Sequence, residues 1–400
     1  MPSENNVGSL RPIKILHVVG GLGHGGIENW LRQSLVHLPR GRYRCDFCTY
    51  RSERGAYAAE LESYGCELHY IPLGLSPVEI LRFSKRFRRL LRDGRYDVVH
   101  SHGLLLVGFI LFLAWMEDTP VRIAHAHNAD RKTDGMGSVA NCLGLVLNRV
   151  LTQAFSTHGV GCSAEAGTAL FGGRWQEDTK YRLIHYGIDL KPFEAAKSLK
   201  SQRTALGIGP DTKVIGHVGN FRVEKNHRFL VAVAAHVFRR RADAILLLVG
   251  DGTLRPLIEQ SCADLGIASR VIFSGGSSCV PELMRSAMDV FVMPSFHEGL
   301  PVALLEAQAA GLRCVVSDVV SHEVMISDDT IQFLPLASGA EAWGDAVLSL
   351  LEKSTRRPDL LARMANSDYN IVASAKRLED LYGAAQRYIE RDSSIPQSTT

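Results

Sequence analysis

"MDVFVMPSFHEGLPVALLEAQAAGLRCVVSD", residues 288–318, holds one complete strand–helix–strand repeat, and its reading decides the fold. The apolar run 288–295 has the length and the β-branched content of a buried strand. The chain then turns through 296–300. Pro301 stands where a first helical residue would, because a missing N–H costs nothing there, and Gly311 closes the helix. A second apolar run at 313–318 follows, so the unit predicts parallel strands with a crossover helix. Glu298 and Glu306 lie astride its turn, one on the loop at a strand's carboxyl end and one on the helix behind it.

The same alternation runs through the whole chain. In the first half the strand segments are 13–19, 44–50, 67–71, 96–101, 121–126 and 158–163; in the second they are 213–219, 244–250, 270–275, 288–295 and 313–318. Helix-length amphipathic segments separate them, which predicts an α/β fold with parallel sheets covered on both faces. Four hundred residues are enough for two such domains. The polar stretch 188–212, which carries Gly and Pro, reads as the linker between them. Two doubly wound Rossmann-like domains would offer a ligand cleft at the carboxyl ends of their strands.

Composition narrows the function. The hydrophobic fraction is 46%, 22% of residues are charged, and the formal charge is only +3, so a field suited to nucleic acid is not indicated. The N-terminal "MPSENNVGSLRP" is polar and lacks the charged-then-apolar pattern of a signal peptide, from which a cytoplasmic protein is expected. Of eight cysteines, Cys45 and Cys48 form the single CxxC, within an alternating strand pattern; packing is the expected role, with no second pair to complete a zinc site.

In the second half, "GHVGNFRVEKNH" follows the strand 213–219 and places Gly216, Gly219 and Lys225 where a βα turn meets phosphates. "VGDG" follows the next strand. The backbone amides of Gly299 and Leu300, at a helix start, favour an anion. Carboxylates on either side of such a turn can accept hydroxyl hydrogens without meeting phosphate, an arrangement that suits a nucleotide sugar: Glu306 to the ribose, the amides to the diphosphate, Glu298 to the sugar.

With these motifs in this order, residues 13–390 resemble the retaining glycosyltransferases of glycosyltransferase family 4, with the GT-B fold. The resemblance implies a nucleotide diphosphate sugar as substrate, a UDP-sugar as first choice, with no cofactor and no metal. It also implies domains at 1–195 and 205–374, and a helix at 375–391 that returns to the first domain. One departure stands out. Where the family usually has arginine, this chain has Asn220, and the nearby guanidinium is that of Arg222. Asparagine brings no charge, and charge-assisted contacts are about twice as strong as neutral ones.

In the first half, "GGLGHGG" (20–26) follows the first strand, and its glycines permit close backbone approach. The spacing is not that of a nicotinamide-binding fingerprint. In the family this loop lies across from the donor diphosphate, and Gly25 and Gly26 are the matching positions. "VVHSHG" and "IAHAHN" end two further strands with His100, His102, His125 and His127. Alternate residues share a strand face, so all four can be buried only if polar groups meet them. The family's active-site histidine corresponds to His127, with His125 as second choice; no carboxylate or cysteine accompanies the four at metal-ligand spacing.

Residues 78–95 carry Arg82, Lys85, Arg86, Arg88, Arg89, Arg92 and Arg95 among apolar residues, as in a helix that lies on an anionic membrane; a solvated helix face is the alternative. The apolar run 103–116 is short for a span and reads as a buried helix that could reach the bilayer interface. No Asp-x-Asp occurs, so the leaving diphosphate must be met by protein: Lys225, the amides near Gly299, Gly25 and Gly26, and Arg222. The resemblance implies front-face substitution rather than a covalent intermediate. The implied acceptor is a glycan or polyprenyl-diphosphate-linked oligosaccharide in bacterial exopolysaccharide assembly at the inner face of the cytoplasmic membrane. Two other readings share these motifs, a sugar-nucleotide epimerase of the same fold and a non-catalytic partner subunit.

Overall fold

The computed structural model describes residues 11–23, 25–74, 76–102, 106–127, 139–194, 200–277, 279–353 and 356–393. They fall into two compact units. The first takes the chain up to Ile184 together with its end from Ser374, and the second takes His185–Ala373.

The first unit has strands β1 (Ile13–Val19), β2 (Tyr43–Thr49), β3 (Leu68–Tyr70), β4 (Val98–Ser101), β5 (Val121–Ala126), β6 (His158–Gly161) and β7 (Tyr181–Leu183). Their order is β3-β2-β1-β4-β5-β6-β7, and every pair is parallel. Helices cover both faces, which is why β1 and β2 are buried along nearly their whole length instead of alternating. Cys45 and Cys48, three apart in β2, are both buried for that reason. The last helix, Ile371–Ser393, packs in this unit from Ser374 onward, burying Leu378, Leu381 and Tyr382. Trp30 Nε1 donates to Ser374 Oγ at 2.8 Å and anchors it.

The second unit has β8 (Lys213–Val218), β9 (Ala244–Val249), β10 (Val271–Gly275), β11 (Val290–Met293), β12 (Arg313–Ser317) and β13 (Ile331–Leu334), in the order β10-β9-β8-β11-β12-β13, again all parallel. Phe221, Leu246, Leu248, Val292 and Trp343 are among the residues of its core. In each sheet the strand order reverses once, at β1/β4 and at β8/β11. Ligands of such sheets bind beyond the strand carboxyl ends at that reversal.

Three expectations are corrected. The edge strands β7 and β13 were not foreseen; they are three and four residues long, and β7 is only partly buried, so neither carries a long apolar run. Pro301 is the cap of the helix Val302–Ala309 and not its first residue. Its ψ of 90° is extended, while its carbonyl already accepts from Leu304 N at 3.0 Å. Gly311 does close that helix, at φ 74°. The stretch 188–212 is not a bare connector. Lys191–Glu194 and Lys200–Ala205 are helical, and Ile188, Leu190 and Phe193 are buried. Ile188 also exchanges backbone bonds with Tyr369 and Ile371, so the apolar residues inside the polar stretch bind it to the second unit.

Candidate active site

In the second unit the site forms where the loops after β8 and β11 meet. The β8 loop is held by the turn after β9: Gly219 N donates to Val249 O, Phe221 N to Asp251 O, and Leu254 N to Phe221 O. That approach requires glycine at 250, since a Cβ there would lie 2.1 Å from Gly219 O, at φ 138°. The fully buried Phe221 pins the loop from beneath. Gly216 has a different task from the one its sequence position predicted. It lies inside β8, and a Cβ there would meet Met288 Sδ at 2.1 Å, so it serves packing and not phosphate.

Lys225 ends the short 3₁₀ turn Val223–Lys225, and its Nζ donates to Glu298 Oε1 at 2.6 Å. Ser295 Oγ donates to the same oxygen at 2.7 Å, and Phe296 N donates to Glu224 O, joining the two loops. Both donors use Oε1; Glu298 Oε2 has no protein partner among the described residues. The amides of Gly299, Leu300, Val302 and Ala303 likewise have no protein acceptor among the described residues. A lysine, a half-engaged carboxylate and a row of open amides thus stand together at the β8/β11 reversal.

Glu306, on the helix behind this turn, keeps some exposed surface, yet burial pushes its carboxyl up to about 7. It too has no hydrogen-bond partner among the described residues. A carboxyl held in such a place is poised to accept hydroxyl hydrogens from a ligand. Asn220 is partly buried on the β8 loop, and Arg222 is exposed with no acceptor for its guanidinium among the described residues.

In the first unit the loop after β1 leads to the helix Gly26–His37, with Gly25 as a cap that has no side chain to bond the first amides. His127 follows β5 and is buried. His100, His102 and His125 are buried as well, and among the described residues the polar groups that meet them include one another, His17 and Tyr382. His102 Nδ1 lies 2.9 Å from His127 Nε2, and His17 Nδ1 lies 3.0 Å from His102 Nε2. Burial pulls His17 and His127 down to about 3, and holds His100, His102 and His125 well below the ordinary imidazole value. The sets His17/His100/His102 and His102/His125/His127 each bring three ring nitrogens within 4.8 Å of one another.

Sequence reading singled out four of these histidines and missed His17 and Tyr382. His17 sits mid-strand in β1, and only the β1/β4 register, which sets it opposite His100, links it to the others. Tyr382 falls within the helix expected at 375–391; nothing local marks its hydroxyl as a partner of His100 Nδ1 at 2.9 Å.

Each unit is an all-parallel doubly wound sheet, and the second carries a lysine and open amides at its reversal; the comparisons with known proteins give the class. The chain belongs to the GT4-like glycosyltransferases and has the GT-B fold. Residues 212–353 match the family described as Glycosyl transferases group 1, and 25–187 match the Glycosyl transferase 4-like domain. EpsF of Bacillus subtilis is 35% identical over 336 residues, covering 84% of this chain and 86% of its own. The UDP-Gal:alpha-D-GlcNAc-diphosphoundecaprenol alpha-1,3-galactosyltransferase of Escherichia coli is 24% identical, covering 92% of this chain and 96% of its own. Among solved structures, Anabaena HepE in complex with UDP superposes with a TM-score of 0.74 at 16% identity, over 93% of this chain and 100% of that one, a likeness of fold.

Proposed function

We propose that this glycosyltransferase moves a hexose or hexose derivative from a UDP-sugar to a polyprenyl-diphosphate-linked glycan, with retention of configuration, in exopolysaccharide assembly. The observation that carries the reading is the group at the β8/β11 reversal: Lys225 with Glu298, the open amides from Gly299 to Ala303, and the partnerless Glu306. Lys225 and the amides of Gly299 and Leu300 take the diphosphate, Asn220 and Arg222 add donors, Glu306 takes the ribose hydroxyls, and Glu298 Oε2 takes a sugar hydroxyl. For the first unit the family resemblance gives Gly25 and Gly26 as diphosphate positions and His127 as the sugar contact; the Gly25 amide already donates to Gly23 O at 2.9 Å, which leaves that of Gly26 to offer.

The reaction breaks the bond from the anomeric carbon to phosphate, the electron pair leaving with the diphosphate. The acceptor oxygen bonds to the same carbon on the same face, and its proton passes to the departing phosphate oxygen. Protein charge, with no metal, stabilises that leaving group. The lipid-linked acceptor follows the Escherichia coli relative, a galactosyltransferase named for a GlcNAc-diphosphoundecaprenol acceptor.

Peripheral membrane contact is part of the proposal. On the helix Pro77–Gly94, Val78 and Leu81 are exposed beside Arg82, Lys85 and Arg86, which have no carboxylate partner among the described residues. Among the described residues no helix is long and apolar enough to cross a membrane.

The test is nucleotide diphosphate release from UDP-, GDP- and ADP-sugars with a bacterial lipid extract as acceptor, beside the Glu306→Ala variant. Release from one donor, lost in the variant, is expected. Product formed without acceptor would instead mark an epimerase, silence across the panel a non-catalytic subunit, and inverted product would refute retention.

A further inference from the structure

The histidines of the first unit are linked in single file. His127 Nε2 lies 2.9 Å from His102 Nδ1, and His102 Nε2 lies 3.0 Å from His17 Nδ1. His17 Nε2 is 3.4 Å from Tyr382 Oη, Tyr382 Oη is 2.9 Å from His100 Nδ1, and His100 Nε2 is 3.2 Å from His125 Nδ1. Each ring nitrogen enters the file once. It uses both nitrogens of His17, His100 and His102, and one each of His125 and His127. We propose that these five imidazoles and Tyr382 act as one tautomeric unit, in which all five rings carry their proton on the same nitrogen, and that this unit sets whether Nδ1 of His127 accepts or donates.

The argument is a proton count. A neutral imidazole has one N–H and one acceptor nitrogen, and a phenol has one O–H. Five rings and one phenol bring six protons. Five links use one each, and one remains, at one end. With that proton at the His125 end, His127 Nε2–H donates to His102 Nδ1, His102 Nε2–H to His17 Nδ1, and His17 Nε2–H to Tyr382 Oη. Tyr382 O–H then donates to His100 Nδ1, and His100 Nε2–H to His125 Nδ1. All five rings are Nε2–H. With the proton at the His127 end every donor reverses, and all five rings are Nδ1–H. A switch of tautomer between two rings would set two lone pairs or two N–H groups against each other, and a switch at Tyr382 would leave its O–H without an acceptor or two acceptor nitrogens competing for it, at a cost of about 1–3 kcal/mol for each lost bond in this buried place.

Neutral rings are what this place allows. All five are buried, no carboxylate among the described residues lies in the file, and burial lowers the basicity of every ring. The same facts argue against a bound divalent cation, whose charge would stand buried with no anion among the described residues to balance it. Spacing agrees: two imidazoles on a tetrahedral zinc at about 2.0–2.1 Å hold their nitrogens roughly 3.3 Å apart with both lone pairs turned to the metal. The links to and from His102, at 2.9 and 3.0 Å, are lengths for a shared proton.

Tyr382 and His17 are therefore positioning residues. Tyr382 sits on the last helix, and its hydroxyl joins the His127–His102–His17 segment to His100–His125. The consequence for sugar transfer rests on the reading of His127 as the group that meets the transferred sugar; the tautomeric coupling does not.

The experiment is long-range ¹H–¹⁵N correlation of the full chain with ¹⁵N-labelled histidine at pH 7.5. His217 serves as the internal Nδ1–H standard, because its Nδ1 must donate to Val292 O at 2.8 Å. One tautomer across all five rings is expected. In Tyr382→Phe, His17 and His100 lose their shared partner and uniformity should break, with kcat for transfer down about tenfold or more and the donor KM unchanged. Mixed tautomers in the parent protein, a charged ring, one bound zinc per chain by elemental analysis, or a Tyr382→Phe spectrum identical to the parent would each overturn the proposal. Should Tyr382→Phe not fold, His17→Phe cuts the file one member earlier, at its links to His102 and Tyr382, and keeps a ring to stack on Phe47. Uniform tautomers without turnover would sink sugar transfer and leave the coupling standing; turnover with mixed tautomers would do the reverse.

Discussion

Glu306 is a carboxyl whose burial opposes its own charge, and this sets the sign of its pH effect. Its folded pKa, about 7, lies above the ordinary 4.5, so the unfolded chain ionises first as pH rises. The folded state is then progressively disfavoured between about 4.5 and 7, and the penalty is complete above that range. Glu306→Gln should therefore raise the melting temperature of the ligand-free protein at pH 8 and leave it nearly unchanged at pH 4.5, while UDP binding is lost. Nucleotide hydroxyls that donate to the ionised form should make UDP binding release protons near pH 7, read by calorimetry in buffers of differing ionisation enthalpy. Lys225 offers the second test at this scale. It holds Glu298 through one oxygen and stands ready for phosphate, so Lys225→Ala should weaken UDP-sugar binding by about 2–5 kcal/mol, measured by calorimetry. Both glutamates and the lysine were legible from their motifs. The Lys225–Glu298 pair was not, because 73 residues separate its partners.

Elements, unlike pairs, announce themselves where the signal is long. Eleven strand segments were readable because each lies in an apolar run or precedes a turn motif; β7 and β13 were missed because Arg182 and Gln332 interrupt their apolar residues and both are only partly buried, although β3, β4, β6 and β11 are no longer than β13. The turn after β9 shows how one backbone constraint shapes a site. Gly250→Ala would force a side chain into Gly219 O at a φ that L-residues avoid, so it should destabilise the second unit by roughly 2 kcal/mol or more and displace the β8 loop. Chemical denaturation and UDP titration would read both effects. The helix Pro77–Gly94 makes a separate prediction. Replacing Arg82, Lys85 and Arg86 by glutamine should abolish sedimentation with anionic phospholipid vesicles at low salt and leave transfer to a water-soluble acceptor intact. Vesicle binding that survives the change would remove this helix from the membrane proposal.

At the scale of the whole molecule, the buried histidines make the first unit acid-sensitive. Their folded pKa values lie below the unfolded value of 6.5, so the stability they support is fully present above 6.5 and is lost as pH falls toward about 3. At pH 5 unfolding should take up about five protons from this cluster, and the melting temperature should fall steeply between pH 6.5 and 5. His17→Phe should make that fall shallower, in a thermal scan across pH.

Local spacing by itself determined the α/β class, the run of parallel strands, the glycine that closes the site helix and the position of the two glutamates astride its turn, because each depends on residues within a few turns of chain. The family was legible for the same reason: it rests on short motifs at strand ends. Only the tertiary structure decided that Gly216 packs against Met288, that Lys225 grips Glu298, that the polar stretch near Ile188 is bound in place, and that five histidines close on one another through Tyr382. Those facts depend on strand register and on a helix returning from the far end of the chain. Hydrogen bonds and close packing are satisfied by neighbours in space, and sequence separation does not encode which neighbours those will be.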